Sequence, residues 1–122
     1  LTVLYRIIPI NYGLRVSQNY GGVMKIYFER SGGFMGMNMA TEVDTESLSP
    51  EEADQLQGLL NTTSFFELPA QLMSSTPGAD QFSYKLTVEV AGRKKTVEIG
   101  DTAVPEMLQP LLRRLTTMAR ST

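Results

Sequence analysis

An α+β fold is what this sequence predicts: a two-layer sandwich of an antiparallel sheet of about four strands and two helices, in the order ββαββα. Three observations lead there. Apolar and polar residues alternate from Met24 to Glu29 and again from Phe82 to Val90, and each run breaks at a nearby glycine before a partner strand follows. Two other segments, 50–61 and 105–118, space their apolar residues by three and four. Two hairpins that pool one apolar face and two helices with one stripe each bury that surface most economically by stacking as two layers.

The chain has 122 residues, enough for one domain that buries roughly two thirds of the surface its unfolded form exposes. Residues 1–23 precede the regular pattern and read as an extension, leaving 24–122 as the folded unit. The extension contains Ile7-Ile8-Pro9-Ile10, but Arg6 and Pro9 interrupt the apolar run and no A-x-A-like cleavage site follows. It is not read as a secretory signal, so the expected location is cytoplasmic. No stretch approaches the roughly 20 apolar residues of a membrane span.

The first strand carries Met24, Ile26 and Phe28 on one face, with Lys25, Tyr27 and Glu29 on the other. Ser31-Gly32-Gly33 breaks it, and Met37 to Asp44 returns as its partner with Met37, Met39, Thr41 and Val43 sharing a face. The first helix opens at Ser49-Pro50-Glu51-Glu52. Ser49 suits the cap, Pro50 the first helical position, and Glu52 closes a capping box. It is expected to run to about Asn61 and to bury Ala53, Leu56, Leu59 and Leu60.

Phe65-Phe66-Glu67-Leu68-Pro69 reads as a short apolar anchor, and Ser74 to Asp80 as a surface loop. Phe82, Tyr84, Leu86, Val88 and Val90 mark the third strand; Gly92-Arg93 turns the chain into a fourth carrying Val97 and Ile99. Pro105 opens the last helix, with Leu108, Leu111, Leu112, Leu115 and Met118 as its stripe. Pro110 then either kinks that helix or lies in the first turn of one that starts later.

Composition removes several classes of chemistry. Cysteine and histidine are both absent, so there are no disulfides, no thiolate nucleophiles, no sulfur or imidazole ligands for zinc, and no imidazole acid-base pair. A net charge of −2 offers no field for steering toward nucleic acid. The acidic residues Glu42, Asp44, Glu46, Glu51, Glu52 and Asp54 lack calcium-loop spacing and read as a solvated surface. Gly32, Gly33 and Gly36 lack the lysine and following helix of a phosphate loop. The basic runs Arg93-Lys94-Lys95 and Arg113-Arg114 read as solubilising groups. No cofactor and no metal are expected.

The Ser31-Gly32-Gly33-Phe34-Met35-Gly36 loop is different, because two large apolar side chains sit among glycines where a tight turn ordinarily takes polar residues. Phe34 either folds back on the core or is presented to a partner. Two rival readings remain open: an interaction module that pairs with itself through a sheet edge, and an enzyme using Asp80 or Asp101 near Tyr84.

The order of motifs resembles the emfourin family, the protein inhibitors of protealysin-type, thermolysin-like metallopeptidases. The resemblance rests on Arg30-Ser31-Gly32-Gly33-Phe34-Met35-Gly36, the capped helix with Leu56 and Leu59-Leu60, Phe65-Phe66-Glu67-Leu68-Pro69, and Asp80 ahead of Tyr84-Lys85-Leu86-Thr87-Val88. It extends from Met24 to about Met118. It implies a stoichiometric, non-catalytic inhibitor acting in bacteria as a brake on a zinc peptidase often encoded nearby; the protein is expected to be a monomer or a weak homodimer. A docking mechanism consistent with it is expected to bring Glu29, Ser31, Gly32, Gly33, Phe34, Met35 and Gly36 against the partner. Phe34 or Met35 would fill the pocket that such peptidases reserve for a bulky apolar residue just after the scissile bond. Any zinc ligation would have to come from oxygen, with Ser31, Glu29 or a loop carbonyl as the candidates.

Overall fold

The computed structural model describes residues 23–33, 38–76 and 81–121; the extension up to residue 22 and the loop residues Phe34 to Met37 lie outside them. Five strands form one sheet: β1 (Met24–Gly32), β2 (Met39–Asp44), β3 (Gln71–Leu72), β4 (Phe82–Val90) and β5 (Arg93–Gly100). Their spatial order is β2-β1-β4-β5-β3. Helices α1 (Pro50–Thr62) and α2 (Gln109–Arg120) complete the ββαββα frame. The sheet is mixed where an antiparallel one of about four strands was expected, because the short β3 pairs parallel with β5 through Gln71↔Glu98 and Leu72↔Ile99.

The period of two sorts the sheet into a covered and an open face. Register aligns Ile26 with Val43 on one side and Val88 on the other, and Phe28 with Thr41 and Leu86. Met24, Ile26, Leu86, Val88, Val97 and Ile99 are fully buried there, together with Leu108, Leu111 and Leu115 from the C-terminal segment and Leu56 and Leu60 from α1. Burying each such side chain contributes about 1.5–3 kcal/mol, so this shared face is the main source of stability.

The open face carries a different order. Asp44, Lys25, Glu89 and Lys94 form one row across β2, β1, β4 and β5, and Glu29, Lys85 and Glu98 form another. Opposite charges on neighbouring strands support the pairing and mark this face for water. Between the rows, the Thr87 and Thr96 hydroxyls are hydrogen-bonded at 2.8 Å.

Helix α1 starts as its sequence requires. Ser49 Oγ accepts from Glu52 N at 3.1 Å, and Glu52 Oε1 accepts from Ser49 N at 3.2 Å. Glu52 is thus a capping residue, while Asp44 Oδ1 accepts from Glu46 N at 2.9 Å at the turn after β2. Among the described residues no group of three or more acidic side chains is placed to hold a metal ion, and no helix is long and apolar enough to cross a membrane. Pro110 takes the second position of α2, preceded by a short 3-10 turn at Glu106–Leu108. The later start is therefore the one adopted, and the proline's missing N–H falls where no intrahelical partner exists.

The β4–β5 turn consists of Ala91 and Gly92, one residue earlier than the expected Gly92-Arg93, since Val90 pairs with Arg93. Both turn residues have positive φ, 51° at Ala91 and 78° at Gly92. That is the signature of a tight two-residue hairpin turn whose twist matches the strands.

Candidate functional site

The β1–β2 loop leaves the sheet at Gly32 and Gly33, and the backbone there explains both glycines. Gly32 has φ +100° and Gly33 φ +85°, values that L side chains rarely adopt. A Cβ on Gly32 would lie 2.6 Å from the Gln81 carbonyl oxygen, and one on Gly33 would lie 2.6 Å from Cε1 of Phe82. Gly33 N instead donates to Gln81 O at 2.7 Å. These glycines let the root of the loop lie flat against the start of β4.

Gln81 and Phe82 are in turn held by Asp101, which follows β5. Its Oδ1 accepts from Gln81 N at 3.2 Å and its Oδ2 from Phe82 N at 3.1 Å, while Asp101 N donates to Phe82 O at 3.1 Å. Arg30 closes the knot from the side, its guanidinium 4.7 Å from the centroid of the Phe82 ring, a cation over an aromatic face. Three strand ends and one side-chain stack therefore fix the point from which Phe34 departs. Asp101, considered beside Tyr84 as a catalytic carboxylate, spends both oxygens on backbone amides, so its evident role is structural.

Of the other residues expected at the site, Ser31 is half-buried at the end of β1. It pairs with Ser83, and Glu29 faces Lys85 in a charged row of the open face. Phe34, Met35, Gly36 and Asp80 lie outside the described residues.

The basic runs do more than solubilise. The Arg93 guanidinium lies 4.2 Å from the centroid of the Phe66 ring, and Lys95 Nζ donates to the Leu68 carbonyl. Both tie the Phe65–Leu68 anchor to β5, with Phe65 buried and edge-on to Phe66 at 5.9 Å. Arg113 and Arg120 line a groove of about 470 Å³ between α2 and the end of the sheet, facing Arg30 and Tyr84. Arg30 belongs to the same working end of the molecule, and alternation along β1 alone did not single it out. Its place follows from the register Arg30↔Tyr84 and Gly32↔Phe82, which is long-range.

Neither a curated protein nor a solved structure gives a match to the chain. The family description of emfourin does match, over residues 28–116. That span runs from the middle of β1 through the glycine-rooted loop to Thr116, two thirds of the way along α2. With the match covering well over half of the chain, this protein belongs to the emfourin family, a family of protein inhibitors of metallopeptidases.

Proposed function

We propose that this protein is a stoichiometric inhibitor of a thermolysin- or protealysin-like zinc metallopeptidase and that the β1–β2 loop blocks the enzyme's cleft. The observation that carries the reading is the family match across the loop and its root. The geometry supports it. A loop whose root is held before it binds has less conformational entropy to give up at that root on docking, and the knot of Gly33, Gln81, Phe82 and Asp101 holds it. Phe34 and Met35 supply the bulky apolar side chains that a cleft of this specificity accepts. Occlusion suffices for inhibition, with no residue of this chain acting as a catalyst.

The test is a titration of a purified thermolysin-like peptidase with the protein, at enzyme concentrations well above the inhibition constant. Activity is expected to fall linearly to an equivalence point at one inhibitor per enzyme. No loss of activity at a large excess, for peptidases of this type including one from the same organism, would sink the reading.

One feature favours a second reading, self-association. Among the described residues, β2 ends the sheet with six residues and one side without a strand partner, and such an edge can pair with another strand. Light scattering across a concentration series separates a monomer from an edge-paired dimer.

A further inference from the structure

Helix α2 turns one polar stripe toward the working end of the sheet. Gln109, Arg113, Thr117 and Arg120 follow one another along it and line the groove that Arg30 and Tyr84 close from the opposite side. The stripe spans twelve residues, and its eleven steps of 1.5 Å make about 16 Å. That is the length of roughly five residues of polyproline-II chain at 3.1 Å each. Arg113 and Arg120 are exposed and two turns apart, about 10 Å along the axis.

Charge sets the groove apart from the remainder of the molecule. The chain as a whole is acidic, with net charge −2, and its open sheet face alternates in sign. The groove gathers three guanidinium groups, and Asp101, the one carboxylate among its described lining residues, is committed to Gln81 N and Phe82 N. The Thr116 and Thr117 hydroxyls donate to the carbonyls of Leu112 and Arg113, so the arginines are the groove's main outward donors. The chain's own leading segment does not match this charge: residues 1–22 include Arg6 and Arg15 and no carboxylate.

We propose that this groove takes an acidic segment of a partner protein in polyproline-II form, with two carboxylates three residues apart, on one side of that three-per-turn helix and about 9 Å from each other, received by Arg113 and Arg120, and the chain between them lying against Leu112 and Tyr84. Guanidinium forks bind carboxylates through paired, charge-assisted hydrogen bonds, which gives both affinity and register. Three cations in a net-acidic protein fit a short peptide better than a polyphosphate backbone, whose binding relies on a broad positive field. Because Arg30 also stacks on Phe82 at the loop's root, the segment belongs to the protein that the loop meets. For its owner the inference rests on the inhibitor reading; for the chemistry of the groove it does not.

The probe is an N-acetylated, C-amidated hexapeptide with Glu at its second and fifth places and Gly or Ser elsewhere, titrated into the full protein and followed by backbone amide shifts. Shifts are expected along α2 and β1, with binding at least about tenfold weaker for the Gln counterpart of the peptide and for R113Q/R120Q. K94Q, on the open face, is expected to bind like the wild type, and unchanged amide dispersion shows that the variants fold. Equal binding of the Glu and Gln peptides, no binding at millimolar peptide, full binding by R113Q/R120Q, or an equal loss in K94Q overturns the proposal. Tighter binding of an eight-nucleotide oligothymidylate than of the peptide overturns it in favour of nucleic acid. Peptidase titration with R113Q/R120Q is expected to show weaker inhibition. Unchanged inhibition alongside lost peptide binding overturns the assignment of the segment to the peptidase. Intact peptide binding by a wild type that inhibits nothing sinks the inhibitor reading and leaves the groove's chemistry supported.

Discussion

Asp101 and Phe82 hold one another across the end of the sheet. Phe82 N donates to the Asp101 carboxylate at 3.1 Å, and Asp101 N donates back to the Phe82 carbonyl at 3.1 Å. The same carboxylate also receives Gln81 N at 3.2 Å, so one side chain organises the strand end on which Gly33 rests.

Replacing Asp101 by Ala therefore strips two charge-assisted acceptors from backbone amides. Hydrogen bonds to charged groups contribute about 1.5–3 kcal/mol each, and partial exposure lowers the sum, so a loss of about 2 kcal/mol is expected. Asp101→Asn keeps one acceptor oxygen and is expected to lose roughly half as much. Urea denaturation reads both values, and hydrogen exchange at the Gly33 amide is expected to quicken in Asp101→Ala. A change below about 0.5 kcal/mol in Asp101→Ala, the range of an ordinary surface substitution, would mean that the clamp does not hold the loop root.

Gly32 and Gly33 should differ in how they tolerate a methyl group. Both have positive φ, which by itself costs an L residue roughly 1–2 kcal/mol. The Cβ of Gly32→Ala would meet the backbone oxygen of Gln81, which is fixed within the knot, whereas that of Gly33→Ala would meet the Phe82 ring, which can rotate away. Gly32→Ala is expected to be the more destabilising, at roughly 3 kcal/mol or more against about 2 for Gly33→Ala. Adding Phe82→Leu should recover part of the loss in Gly33→Ala and none in Gly32→Ala. Thermal unfolding of the four proteins decides it, and equal recovery in both would refute the contacts assigned to the two glycines.

How far the sequence could be read followed from the range of the interactions. The β4–β5 hairpin and the Ser49 cap were legible because alternation and capping act over a few neighbouring residues. β3 was not, since Gln71-Leu72 is too short to show a period and its parallel partner Glu98-Ile99 lies some way along the chain. The groove was half legible: Arg113 and Arg120 are seven apart and so share a helix face, but only the sheet register brings Arg30 opposite them. The turn at Ala91-Gly92 was displaced by one residue because alanine is a poor marker for positive φ.

That turn offers a stabilising substitution. Ala91 is exposed and holds φ 51°, in the first central position of a turn where Asn is preferred because its short polar side chain tolerates the left-handed region. Ala91→Asn is expected to raise stability by about 0.5–1 kcal/mol through relief of that strain. The denaturation midpoint should rise with an unchanged slope. A lowered midpoint would show that the alanine is not strained.

Phe34→Ala separates the loop as a docking element from the loop as part of the core. As a docking side chain, Phe34 is expected to behave as an interface hot spot, so its removal should weaken inhibition by about 2 kcal/mol, roughly 30-fold, at nearly constant stability. As a core side chain, its removal should cost about 3–5 kcal/mol of folding free energy, and inhibition would weaken only as folded protein was lost. Paired measurement of the inhibition constant and the urea midpoint on the same preparation distinguishes the two. Hydrogen exchange at the Gly33 amide, which donates to Gln81 O within the knot of Gln81, Phe82 and Asp101, reports in the same variant whether the loop root has stayed in place. An unchanged inhibition constant with unchanged stability would remove Phe34 from both roles and shift attention to Met35.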